Sequence, residues 1–219
     1  GDSAHTKEGL AHLRQTAKRN DELGREALRH LLKTKALTKT EFRDCALRLW
    51  AFQKPTRNDA LLCLHAAFIG KPLPIEKLRP FLAKRFGPLS DPEETRKIAK
   101  VLSELGRPKT AEALLLAETN ATRHASLLPE LLRARILSEH HEEAAITLRE
   151  SNASLSSSEN FFFGSLLAHK DKQSEHAHAL LARALEHATS SDLATIRQFI
   201  PLHDDPDAVV ALLEHLEKE

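Results

Sequence analysis

The sequence predicts an all-α protein built as a stack of about six helical hairpins, and three observations predict it. The vocabulary is helix-forming: 219 residues hold only 7 glycines, no tyrosine and 5% aromatics, with alanine and leucine carrying most of the 41% apolar content. Apolar residues recur at helical spacing nearly from end to end, interrupted by short clusters of breakers. An alanine followed four residues later by a leucine marks each predicted second helix.

Taken in order, Leu28, Leu31 and Leu32 share one face of a helix that begins after Asn20-Asp21. Phe42, Cys45, Leu49 and Phe52 share a face of the next, which opens on a capping-box spacing from Thr38 to Glu41 and closes at Lys54-Pro55. Gly70 to Pro74 ends the hairpin that follows. Residues 70–92 carry Pro72, Pro74, Pro80, Pro88 and Pro92 and read as an irregular insertion of one or two short helices, such as Ile75 to Phe86 broken near Pro80. Asp91-Pro92 is an N-cap with proline at the first helical position, and hairpins resume there. They turn at Gly106-Arg107-Pro108, Glu139 to Glu142 and Lys170 to Lys172, with a further break at Asp204 to Pro206 and a second capping box at Ser156 to Glu159. The organisation predicted is basic hairpins over 1–69, a proline-rich connector over 70–92 and repeats over 93–219, in one continuous solenoid.

The recurring alanines are Ala27, Ala60, Ala111, Ala144, Ala177 and Ala208, spaced 33, 51, 33, 33 and 31 residues apart. Their leucines are Leu31, Leu64, Leu115, Leu148, Leu181 and Leu212. The i, i+4 spacing sets each pair on one helix face, where the small alanine admits a close neighbour and the leucine fills the next turn. One hairpin cannot bury such a face alone, so neighbours stack. The excess in the 51-residue interval falls in the proline-rich connector.

Residues Phe161 to His187 hold an early aromatic, the small pair Gly164-Ser165, then Ala177 and Ala184-Leu185-Glu186. With Ile98-Ala99, Gly106 and Ala111, this stretch resembles the tetratricopeptide repeat, whose period is about 34 residues. The resemblance covers about 93–219 and, loosely, 6–69; the first-helix signature is poorly kept elsewhere and the closing proline is absent, so the repeats are degenerate. It implies a right-handed α-α superhelix whose first helices line a concave groove for extended peptides. Carried onto this chain, it gives Arg96, Lys100, Arg133, Phe162, Leu166 and His169 as groove residues, the cations to hold an acidic segment or a terminal carboxylate and the apolar pair to form a pocket.

Net charge is only +1, but it is polarised. Residues 1–110 carry 23 Lys and Arg against 13 Asp and Glu, and residues 111–219 carry 9 against 18. Solvated faces that have drifted, a basic half meeting an acidic partner, and head-to-tail self-association all fit this pattern. A nucleic-acid reading rests on Lys18-Arg19, Arg25, Arg29, Lys33, Lys35 and Lys84-Arg85, but aromatics for base stacking are few there.

Catalytic and metal signatures are not found. Glu139-His140-His141-Glu142-Glu143 is the best histidine cluster, yet its histidines are adjacent and fall in a turn, and His176 and His178 diverge on a helix. The pairs Asp204-Asp205 and Glu93-Glu94 suit helix N-termini. Cys45 and Cys63 fall at similar height on facing helices, where two core thiols are expected ahead of a disulfide. Asn120-Ala121-Thr122 and Asn152-Ala153-Ser154 read as chance sequons in turns. Of Phe161-Phe162-Phe163, set 100° apart, one or two are expected in packing with Phe162 the groove candidate, against the weightier alternative that all three pack on apolar neighbours. No apolar run approaches the ~20 residues that span a bilayer. The opening Gly1-Asp2-Ser3 reads either as a trimmed start or as the remnant left by an upstream signal or anchor, in a cytoplasmic protein or the soluble part of an anchored or exported one. The expectation is a non-enzymatic, cofactor-free scaffold module of a larger or membrane-anchored protein, binding a protein or peptide partner.

Overall fold

The computed structural model describes residues 2–34, 36–52, 54–87, 89, 91–122, 125–197, 199–203, 210 and 214. They form an all-α protein. The helices are α1 (Asp2–Thr16), α2 (Glu22–Lys33), α3 (Lys39–Ala51), α4 (Arg57–Ala67), α5 (Ile75–Phe86), α6 (Pro92–Glu104), α7 (Pro108–Thr122), α8 (Leu128–Leu137), α9 (His141–Ser151), α10 (Ser157–Lys170), α11 (Ser174–Glu186) and α12 (Ser190–Ile196). Short 3-10 turns occupy Ala125–Leu127 and Ile200–Leu202. The chain divides into two compact units, Gly1–Leu114 and Leu115–Glu219, and the proline-rich connector lies inside the first. None of the described helices is long and apolar enough to cross a membrane.

In the first unit α1, α2, α3 and α4 pack each against the next, and α4 also meets α5 and α6. Helix starts are set locally. The Gly24 amide donates to Asp21 Oδ1 at 3.1 Å, and Thr38 and Glu41 form the expected reciprocal capping box. A further box, Thr56 with Asp59, opens α4. Leu28, Leu31, Leu32, Leu49 and Leu62 fill the core, each contributing about 1.5–3 kcal/mol by leaving water. Gly24 is fixed by a close approach: a Cβ there would lie 2.2 Å from the Arg19 carbonyl oxygen. Cys45 and Cys63 are half-buried and unpaired, and the Cys63 thiol donates to the Ala46 carbonyl at 3.3 Å.

Helix α5 has the predicted ends but is not broken at Pro80. Proline removes the bond to the Glu76 carbonyl. Both residues are exposed, so water replaces that bond, while buried Leu78 and Leu82 hold the helix to its neighbours.

In the second unit α8 pairs with α9 and α10 with α11, and α10 also touches α9 and α12. Phe162, Phe163, Leu166, Leu181, Ile196 and Phe199 form its core. Phe163 meets Phe199 edge-on at 5.3 Å between centroids, and the buried Ser158 hydroxyl donates to the Ala184 carbonyl at 2.8 Å.

Three turns repeat one frame at 33-residue spacing. Gly106, Glu139 and Lys172 take left-handed backbone with φ of 69°, 64° and 62°. The amides that follow, of Arg107, His140 and Gln173, donate to the carbonyls of Leu102, Arg135 and Ala168 at 2.8, 3.0 and 2.9 Å. The beat alanine then sits five residues beyond each left-handed position. Ala27, Ala60, Ala111, Ala144 and Ala177 are all buried. Among the leucines Leu31, Leu115 and Leu181 are buried, whereas Leu64 and Leu148 are half-buried and α4 buries Leu61 and Leu62 instead. Ala208, Leu212 and the break at Asp204 to Pro206 lie outside the described residues. Asn120 falls within α7 rather than in a turn.

Candidate functional site

The start of α4 organises a cleft. Asp59 has no exposed surface and accepts from five donors. Arg29 Nε reaches its Oδ1 at 2.7 Å; Arg29 Nη2 at 3.2 Å, Arg25 Nη2 at 2.6 Å, the Thr56 amide at 2.7 Å and the Thr56 hydroxyl at 2.9 Å reach its Oδ2. Burial pushes the Asp59 carboxyl up, but the hydrogen bonds from Arg29, Thr56 and Arg25 outweigh it and lower the pKa to about 2. This hub ties α2 to α4 and fixes the direction in which Arg57 and Asn58 leave the helix.

Arg57 spans the gap to the end of α5. Its Nη2 donates to the Phe86 carbonyl at 2.7 Å and the Gly87 carbonyl at 3.3 Å, its guanidinium lies 6.0 Å over the Phe86 ring, and it pairs with Glu94 of α6. Between these elements opens a cleft of about 640 Å³. Leu61, Phe86, Ile98 and Val101 give it apolar walls, and Asn58 and Lys97 stand among its polar lining. Asn58 Oδ1 is buried with no hydrogen-bond donor, and Lys97 is exposed, 3.7 Å from Glu93. The cleft therefore offers apolar walls and an ammonium group, which suits a peptide segment that brings an apolar side chain and a carboxylate.

At the far end of α4, His65 Nδ1 accepts from Arg107 Nε at 3.2 Å. Arg107 also donates to the Phe68 carbonyl at 2.6 Å and to the Lys71 carbonyl, closing the α4 C-terminus. Burial, reinforced by the Arg107 charge, pushes the His65 imidazole down to about 4 and keeps it neutral.

Of the six groove residues expected from sequence, Arg96 and Lys100 lie in the first unit and Arg133, Phe162, Leu166 and His169 in the second. Arg96 and Lys100 are exposed on α6, with Arg96 paired to Glu93 at 2.6 Å. The cleft is lined by the neighbouring set Glu94, Lys97, Ile98 and Val101, at i, i+3, i+4 and i+7. Arg133 is held between Glu130 at 3.0 Å and Glu159 at 2.7 Å. Phe162 is a correction: it is fully buried in the α10 core and cannot line an open groove, whereas Leu166, almost fully buried in the same core, reaches the wall of a small pocket with Ile136, Leu167 and Leu202. The phenylalanine left half-exposed is Phe161, which stacks on His187 with centroids 5.8 Å apart. His169 is half-buried against His203, ring to ring at 5.3 Å.

Much of the basic N-terminal set is engaged within its own unit. Arg19 pairs with Asp21, Arg25 and Arg29 with Asp59, and Lys33 with Glu104 at 2.9 Å. Lys35 lies outside the described residues. Among the described residues no group of three or more His, Cys, Asp or Glu is arranged to hold a metal ion. Sequence reasoning did not find Arg57, Asn58 and Phe86; the available signal was Thr56-x-x-Asp59, a capping box that places the next helix start beside them.

No protein-family model matches the chain, and no curated protein or solved structure matches it.

Proposed function

We propose that the protein is a non-enzymatic interaction module of the tetratricopeptide-like kind, with degenerate repeats, and that the cleft of α4, α5 and α6 receives an extended peptide segment of a partner. The observation that carries this reading is the cleft's composition, with apolar walls beside an exposed Lys97. The repeated turn frame supports the repeat assignment, because three turns reverse by the same bond at the same interval. The ionisable groups beside the cleft are engaged in holding the fold: Asp59 caps α4, and Arg57 ties the end of α5 to α6.

A nucleic-acid role is disfavoured by the engagement of Arg19, Arg25, Arg29 and Lys33 in ion pairs within the protein.

The test is selection from a random peptide display library followed by calorimetry on the selected peptides. Peptides with an apolar residue beside Asp or Glu are expected, weakened about tenfold by Lys97→Glu and by Val101→Trp, which fills the cleft. Selected peptides indifferent to both substitutions, or a library that yields none, would remove the assignment.

A further inference from the structure

The outer face of α3 carries side chains that the hairpin core does not use. Arg43, Leu47 and Trp50 follow one another at i, i+4 and i+7, and Leu47 is 69% exposed. With Ala66 and Ala67 of α4 they line an apolar notch of about 300 Å³. Trp50 continues the patch onto α5: its ring lies 6.1 Å from that of Phe81, and the Arg85 guanidinium sits 5.0 Å over it. Arg43, Lys84 and Arg85 are exposed on these helices, against Asp44 on α3. The surrounding segment 1–114 carries 23 Lys and Arg and 14 Asp and Glu, so the wider field favours an anion as well.

We propose that this notch docks an acidic amphipathic segment of a partner protein, which inserts one large apolar side chain between Leu47 and Trp50 and lays carboxylates on Arg43, Lys84 and Arg85. Three features favour this occupant. The charge is complementary to carboxylates. The site is concave, with alanines in its lining, which suits an inserted side chain better than a flat lipid surface. Tryptophan and arginine in contact are also the residue types in which binding energy concentrates at protein interfaces. The inference does not depend on the α4–α5–α6 cleft, whose lining residues are different.

Trp50 is the only tryptophan in the chain, so its emission reports on the notch directly. The probe is a synthetic tryptophan-free peptide with leucines at i and i+4 and glutamates elsewhere; its lysine-for-glutamate counterpart, phosphatidylserine vesicles and duplex DNA complete the set. Saturable change in Trp50 emission with the acidic peptide is expected, weakened about tenfold by Leu47→Glu and by Arg85→Glu, with no response to the lysine peptide. Lys97→Glu should leave this titration unchanged, which separates the notch from the cleft. The proposal is overturned by an acidic peptide that gives no saturable change, by equal affinity in Leu47→Glu, or by Leu47-dependent binding to vesicles or DNA alone.

Discussion

Asp59 and Arg29 meet through two hydrogen bonds, Nε to Oδ1 at 2.7 Å and Nη2 to Oδ2 at 3.2 Å, with the carboxylate sealed from solvent. The pair joins α2 to α4 across 30 residues of chain. It also completes the cap on which the Arg57 and Asn58 geometry depends.

Removing the charge of Asp59 leaves Arg25 and Arg29, whose side chains are only 11% and 14% exposed, with the exposed Glu22 and Glu26 as their remaining counter-ions. Asp59→Asn is therefore expected to cost about 3 kcal/mol, the low end for breaking a buried pair. Urea unfolding followed by Trp50 emission measures it. The acid dependence has a definite sign. The folded pKa of about 2 lies below the ordinary 3.8, so this stabilisation is present above about pH 3.8 and is lost as pH falls through 2. Its size is about 2 kcal/mol, and Asp59→Asn should flatten the wild-type loss in that window.

His65 gives a second acid window at higher pH. Its imidazole is neutral in the fold, with a pKa of about 4 against 6.5 for a free histidine. The unfolded chain therefore takes up a proton first as pH falls, so stability is full above 6.5 and declines toward 4, by about 3 kcal/mol in all. His65→Gln keeps an acceptor for Arg107 and does not titrate. It should unfold with nearly pH-independent free energy across this window once the contribution of the other histidines, common to both proteins, is subtracted. An unchanged slope in the variant would show that burial does not hold the His65 imidazole neutral.

The hairpin turns offer a stabilising prediction. Lys172 occupies a left-handed position that Gly106 fills without side-chain strain in the equivalent turn 66 residues earlier. A Cβ in that conformation crowds the following carbonyl, so Lys172→Gly should raise stability by about 0.5–1 kcal/mol despite the added freedom of the unfolded chain. Glu139→Gly should act alike, and Gly106→Ala should cost about 1 kcal/mol. Circular dichroism in urea distinguishes the three signs.

What the sequence disclosed is what short-range chemistry decides. Asp21, Thr38 and Asp91 cap the helices that their spacing announces, and the alanine at each predicted second helix is buried wherever it is described. The hub was not legible, because Arg25 and Arg29 reach Asp59 from 34 and 30 residues away and nothing local marks the partner. Phe162 could not be separated from Phe161 on periodicity, since all three adjacent phenylalanines are apolar; the stacking of His187 on Phe161 settles which one stays outside. The same one-residue ambiguity separates Arg96, the expected groove residue, from Lys97, which lines the cleft. Pro80 misled for another reason: proline breaks a helix by what it removes, and an exposed carbonyl with water available loses little.

Gly24 yields a prediction whose sign opposes helix propensity. In an exposed helix, Gly→Ala gains about 1 kcal/mol. At Gly24 the new Cβ would stand 2.2 Å from the Arg19 carbonyl oxygen and 2.8 Å from its carbon, both backbone atoms at the turn between α1 and α2. Arg19 is bound in turn to Asp21, the α2 N-cap, at 2.9 Å, so a shift at either residue strains the cap as well. Gly24→Ala should therefore cost about 2–3 kcal/mol through overpacking, with the loss visible in Trp50 emission because α2 packs on α3. Arg19→Ala in the Gly24→Ala background should recover little of it, since the clash is with main chain. A neutral or stabilising Gly24→Ala would show that the two helices meet less closely than the turn requires.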